Sequence, residues 1–393
     1  MCIRDSLVAA PKIGECTPVM RSLCWLLLPV IVLVGCGSSD ASTDSGAGAS
    51  GGAGDPGGQG GLGGSSSEPP AFAKTMSHVF PPVFVDVNGE VADVCQSWTL
   101  NNDEALYVNA VRQTNEGGWH HSNWTFGPEN VFDGPDGTWD CAERDYPLHV
   151  AVGAGGVLFA QSTQAFEETQ SFTKGAVLVI PPRSRIVGNI HLLNVSGAPI
   201  ENSLQMELGL IEEQEVEVRL SPVGLFNQRI ALDPSSESRF SITCDLRDIF
   251  RRVLAVDEMP DYNIYYVLGH YHAWGNYLKL SFVDLDGSER TIVEYDSTPG
   301  DVLGVKVDPP IGSQGATGMR LTCGYYNDSD QVKYWGIGDQ EMCAFFGYID
   351  GDVTFQGQPG PGDELVPLGR DENGRHLYDL SGCNGLIGIP GGR

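Results

Sequence analysis

From Ala73 onward the chain reads as a long succession of strand-length segments, and this limits its fold more than any other feature. "ALYVNAVRQ", "GAVLVIPP", "RIVGNIHLLNV", "VEVRLSPV", "NIYYVLGHYHAW", "YLKLSFVDL", "RTIVEYD" and "VLGVKVDPP" often alternate apolar with polar residues. Successive side chains of a strand point to opposite faces, so alternation leaves one face to bury. Turn-forming residues punctuate the segments at "DGPDG", "DLDGS", "NDSD" and "IDGD". Helical periodicity is scarce. "DLRDIFRRVLAV" is the best candidate and reads equally well as a loop or a short helical turn. The pattern predicts an all-β chain of antiparallel sandwiches, jelly-roll-like in character. With 393 residues, 41% of them hydrophobic, there is core material for more than one domain. No strict short repeat is visible. Polar and turn residues cluster at "ALDPSSESRF", Ala231 to Phe240, which sets a soft boundary between residues 73–234 and 235–393. "DLDG", at Asp284 to Gly287, lacks the ligand spacing of a calcium loop and reads as a hairpin turn.

The first 72 residues do not read as part of this fold. Arg21 precedes an apolar run from Leu23 to Val34, too short to span a bilayer as a helix but suited to a secretory signal, with a single-pass anchor as the competing reading. The run ends in "LVGC", Leu33 to Cys36, which resembles the lipobox of bacterial lipoproteins. That resemblance implies acylation of Cys36, a start of translation at Met20, and an upstream extension plus signal peptide over residues 1–36. Residues 37–72 are rich in glycine and serine, with nothing to bury. They form a flexible tether with a reach of roughly 30 Å. The expected location is therefore outside the cytoplasm, anchored by lipid to a bacterial membrane. Gly37, where an aspartate would favour retention, points to the outer membrane by analogy with such lipoproteins.

Six of the 10 cysteines lie beyond Cys36: Cys95, Cys141, Cys244, Cys323, Cys343 and Cys383. An even number in an exported protein suggests disulfides, although six cysteines allow fifteen pairings and the spacing does not choose among them. None forms a CxxC pair, which argues against a zinc ribbon. The formal net charge of −28 disfavours nucleic acid as a partner, because phosphates would be repelled.

Five of the 8 histidines gather in three places: "GGWHHSNW" (His120, His121), "GNIHLLN" (His191) and "LGHYHAWG" (His270, His272). On a strand, His270 and His272 share a face and offer two imidazoles to one ion. His120 and His121 would point to opposite faces of a regular strand. Shared use of an ion therefore requires an irregular chain there, which Gly117 and Gly118 permit. Neutral imidazole suits copper, zinc, iron or nickel, and a thioether would narrow the choice towards copper. Met342, in "GDQEMCAFF", is the available thioether, though by composition it reads as core filler. Trp119 and Trp124 read as core packing, and His78, His149 and His376 as ordinary surface or structural residues.

The ordered set HH, H, HxH and EMC resembles the copper type II, ascorbate-dependent monooxygenases, the family of the peptidylglycine α-hydroxylating and dopamine β-hydroxylating enzymes. The likeness covers most of Ala73 to Gly385. It implies two successive β-sandwiches with a solvent cleft between two coppers. His120, His121 and His191 match the copper that stores and delivers an electron. His270, His272 and Met342 match the copper where O₂ binds and a C–H bond is attacked. The same resemblance implies the pairs Cys95–Cys141, Cys244–Cys383 and Cys323–Cys343, and ascorbate or a similar reductant as electron donor.

Departures from the family narrow the expected substrate. In the peptide-amidating branch an arginine stands two residues before HxH, and an asparagine and a tyrosine follow the copper methionine; together they hold a carboxylate. Here those positions are Leu268, Ala344 and Phe346. A buried carboxylate would lack charge and hydrogen-bond partners there. The expectation is hydroxylation of a small neutral or aromatic molecule with O₂, not of peptidylglycine. The competing expectations are a surface lipoprotein that binds copper without turnover and a purely structural surface β-sandwich.

Overall fold

The computed structural model describes residues 72–146, 156–161, 165–255, 259–296, 304–336, 340–351 and 353–388. Arg21, Cys36, the tether and His149 lie outside them. Among the described residues no helix is long and apolar enough to cross a membrane. Glu68–Arg393 form one compact unit.

The expected all-β architecture is present as two sandwiches. In the first, one sheet runs Lys74–Val79, Leu204–Ile211, Leu106–Asn115, Ala176–Ile180, with Glu167–Ser171 also pairing to Leu106–Asn115. The facing sheet runs Gly137–Asp140, Glu90–Thr99, Ser184–Leu193, Trp119–Pro128, Gly156–Gln161. Their inner faces meet in a core that includes Trp98, Val108, Trp124, Leu178, Ile190 and Met206. In the second sandwich Val218–Phe226, Ala344–Asp350, Asn263–His270 and Val305–Gly312 face a six-stranded sheet built around Ala316–Asn327 and Ser236–Asp245. Val223, Phe240, Ile264, Leu278, Leu321 and Phe345 fill that core. The segment with open helical and loop readings is a helix, Leu246–Leu254. Asp245 caps it by accepting from the Asp248 amide, and Leu246, Ile249 and Phe250 bury its apolar face. The "DLDG" segment closes the hairpin between Gly275–Asp284 and Glu289–Tyr295, with Gly287 at φ 82°.

Two features lock the sandwiches together. Ala176–Ile180 pairs in parallel with Val218–Phe226, through Val218 with Ala176 and Arg219 with Val177, so one sheet is continuous across both halves. The second feature is a bulge. Asn263–His270 shifts register between Ile264 and Tyr266 against both of its neighbours. An extra residue in a strand exchanges its faces. Ile264 and Val267 therefore enter the second core, while Tyr266 and Leu268 enter the first. Leu268 is only 2% exposed. His270, two residues beyond Leu268, follows the same face towards the first sandwich.

A matched pair of loops recurs in the two halves. Asn194 donates to the carbonyls of Val85, Asp86 and Ala198, while its Oδ1 accepts from Ser196. Asn327 donates to those of Leu232, Asp233 and Gln331, and its Oδ1 accepts from Ser329. The recurrence lies in hydrogen bonding more than in sequence.

Candidate metal centre

His121 and His191 are direct cross-strand partners. The next pair is Trp119 with Leu192, so His120 is the extra residue of a β-bulge. This is the irregularity that adjacent ligands require: the rings of His120 and His121 lie 5.2 Å apart, with His191 at 5.0 and 4.6 Å from them. One nitrogen from each of the three lies within 4.8 Å of the others. Gly117 and Gly118 lead into the bulge with φ of 109° and 79°, a region costly for residues with a Cβ. A Cβ on Gly118 would also stand 2.2 Å from Ile200 Cδ1.

The opposite edge of the His191 strand is irregular too, with a shift between Ile190 and Leu192 against Glu90–Thr99. Glu90 thereby reaches His191, its Oε1 2.6 Å from Nε2. A proton on Nε2 satisfies the carboxylate and leaves Nδ1 as the lone-pair nitrogen. That Nδ1 lies 2.9 Å from His121 Nε2.

On the second sandwich, His270 ends its strand opposite Ala344, and His272 lies just past the strand end. Their rings are 5.0 Å apart, both side chains buried. His272 Nδ1 donates to the Gln340 carbonyl at 2.9 Å, which places the lone pair on Nε2. That Nε2 is buried and has no hydrogen-bond partner.

The two histidine groups touch. His121 lies 5.7 Å from His270 and 6.0 Å from His272, and His120 lies 6.2 Å from His272, ring centre to ring centre. The resemblance implied a solvent cleft between them; the structure has a single cluster of five imidazoles instead. The cause is the apolar stripe ahead of His270. Tyr266 and Leu268 pack into the first core and draw the strand against it. Leucine at position 268 brings no charge that would demand water there.

Burial and mutual proximity hold four of these imidazoles neutral. His120 is pushed down to about 4, and His121, His270 and His272 are also lowered, each chiefly by desolvation. Neutral histidines are ready ligands, since no proton must leave first. An orphaned buried nitrogen among four other imidazoles is an unsatisfied polar group that a metal ion would satisfy. The donor set fits copper, and equally other imidazole-binding ions.

Sequence reading overlooked two carboxylates. Glu90 carried no local signal. Glu341 stood in view within "EMC". Its side chain is 0% exposed, and burial pushes its carboxyl up to about 7 against the opposing effect of amide donors. Those donors include the backbone N–H groups of His272 at 2.7 Å, Trp274 at 2.8 Å and Met342 at 3.1 Å, with the Gly275 amide adding to them. Met342 is half-buried, and its carbonyl accepts from the Tyr325 hydroxyl at 2.6 Å.

The remaining residues singled out in the sequence have structural places. Cys95–Cys141, Cys244–Cys383 and Cys323–Cys343 are all bonded, the last adjoining Met342. Trp119 and Trp124 are fully buried in the first core. His78 stacks on Trp98 and His376 on Tyr378. Leu268 and Phe346 are cross-strand partners. Together with Gln170, Tyr266 and Tyr348 they line a cavity of about 10 Å³, room for about one water.

No protein-family model and no curated protein matches the chain. Solved structures resemble it distantly. The PBSX exported protein XepA is 7% identical at a TM-score of 0.18, over 70% of this chain and 86% of that one. The triple jelly roll of an archaeal virus turret assembly is 13% identical at a TM-score of 0.18, over 71% of this chain and 61% of that one.

Proposed function

We propose that the five-histidine cluster binds copper and that the protein is a copper-dependent monooxygenase. In this reading it uses O₂ and a small reductant such as ascorbate to hydroxylate a small neutral or aromatic molecule. The observation that carries the reading is His272 Nε2, a buried, unpartnered lone pair among neutral imidazoles. Hydroxylation places one oxygen atom in the C–OH product and the other in water, with two electrons and two protons drawn from the reductant. Copper, when bound, supplies the one-electron chemistry with O₂ that this requires. The chain's own part is to hold the ligands and keep water out. Glu90 and the Gln340 carbonyl select the tautomers of His191 and His272. Tyr266 and Leu268 dry the side facing the first core.

We also propose an exported protein tethered through Cys36; three disulfides support an oxidising compartment. The second reading, copper binding without turnover, is favoured by one observation. The cavity beside Leu268 has room for about one water and no larger molecule.

The test uses copper-loaded protein reduced with ascorbate, then given O₂ and phenethyl or other aromatic substrates. Oxygen uptake matched by hydroxylated product supports the monooxygenase. Bound copper without product supports the second reading. Failure of the purified protein to bind copper overturns both.

A further inference from the structure

We infer that Glu341 is the positioning residue for His272 within the five-histidine ligand set, and that it also fixes the backbone of Met342. The inference rests on the proposed metal centre and adds a residue to it. Met342 and His272 are seventy positions apart in the chain, so something must set their separation. One oxygen does so: Glu341 Oε2 accepts from the His272 amide at 2.7 Å and from the Met342 amide at 3.1 Å. Its other oxygen takes the Trp274 amide at 2.8 Å, in the turn that follows His272. The preceding carbonyl, Gln340 O, receives His272 Nδ1. Residues 340–341 thus fix the His272 backbone, its tautomer and the Met342 backbone together.

The chemistry requires a carboxylate. Backbone amides only donate, and a carboxylate accepts at both oxygens. Burying it is costly unless several donors compensate, as they do here. Glutamine at this position would turn an NH₂ group towards one set of amides and release either Trp274 or the His272–Met342 pair.

The experiment is a double-mutant cycle on the full chain. Copper(I) affinity is measured by competition with a chromophoric chelator for wild type, Glu341→Gln, His272→Ala and the double variant. Thermal unfolding is followed in parallel. We expect Glu341→Gln to weaken copper binding roughly 10–100-fold, as loss of an outer partner does. In the His272→Ala background, where the set is already broken, the same change should cost less than about threefold. Equal loss in both backgrounds, or a lowered Tm with wild-type affinity, overturns the inference and leaves the metal centre standing. A wild-type protein that binds no copper overturns both. Should Glu341→Gln fail to fold, Glu341→Asp keeps the charge one methylene short of the amides, and the same comparison decides.

Discussion

His121 and His191 face each other across paired strands, with His121 Nε2 and His191 Nδ1 2.9 Å apart. Neither strand alone brings those nitrogens together; the bulge at His120 and the shift after Ile190 do. Removing one ring should therefore act on metal binding and not on the fold as a whole. His191→Ala is expected to lose more copper affinity than the roughly 10–100-fold that an outer partner is worth. His376→Ala, on a ring stacked against Tyr378 far along the chain, should bind as wild type. A chelator competition titration on both variants checks this.

Glu90 should matter through His191. Its carboxylate holds Nε2 at 2.6 Å and leaves the Nδ1 lone pair facing the histidine cluster. Glu90→Gln is expected to weaken copper binding roughly 10–100-fold with little change in Tm, because Glu90 is partly exposed. An affinity within threefold of wild type would remove Glu90 from the account.

Gly118 is the weak point of the bulge. Alanine there must hold φ near 79° and place its Cβ 2.2 Å from Ile200 Cδ1. Gly118→Ala should destabilise by about 1–3 kcal/mol and reduce copper affinity as the strand re-registers. Denaturant unfolding and the same titration measure the two effects.

The sequence showed the strands, their alternation and the all-β class, because a half-buried strand must alternate. It showed the histidines too, including the need for a break at His120–His121, since two adjacent ligands cannot share a regular strand face. The bulge at Ile264–Tyr266 was illegible: between Asn263 and His270 the run "IYYVLG" shows no polar alternation and does not reveal which residue is the extra one. That bulge decides which core receives Leu268, and hence whether the histidine groups stand apart or touch. Glu90 was illegible for another reason, since its partner lies 101 positions away.

Glu168 gives a pH signature independent of metal. It is 7% exposed, neither oxygen has a hydrogen-bond partner, and burial raises its pKa from 4.5 to about 8. A raised folded-state pKa means that the folded chain holds the proton which the unfolded chain releases. The stability it contributes is complete below pH 4.5 and is lost as pH rises towards 8. Glu168→Gln should abolish that slope and exceed wild type at pH 9 by up to about 5 kcal/mol. Urea unfolding at pH 5, 7 and 9 compares the two.

His120, His121, His191, His270 and His272 are proposed to form one copper-binding cluster. X-ray absorption at the copper edge, on protein loaded and reduced, tests it most directly. Imidazole scattering is expected as the dominant signal, reduced in His121→Ala and in His272→Ala alike. A spectrum without imidazole, or one unchanged by both substitutions, would contradict it.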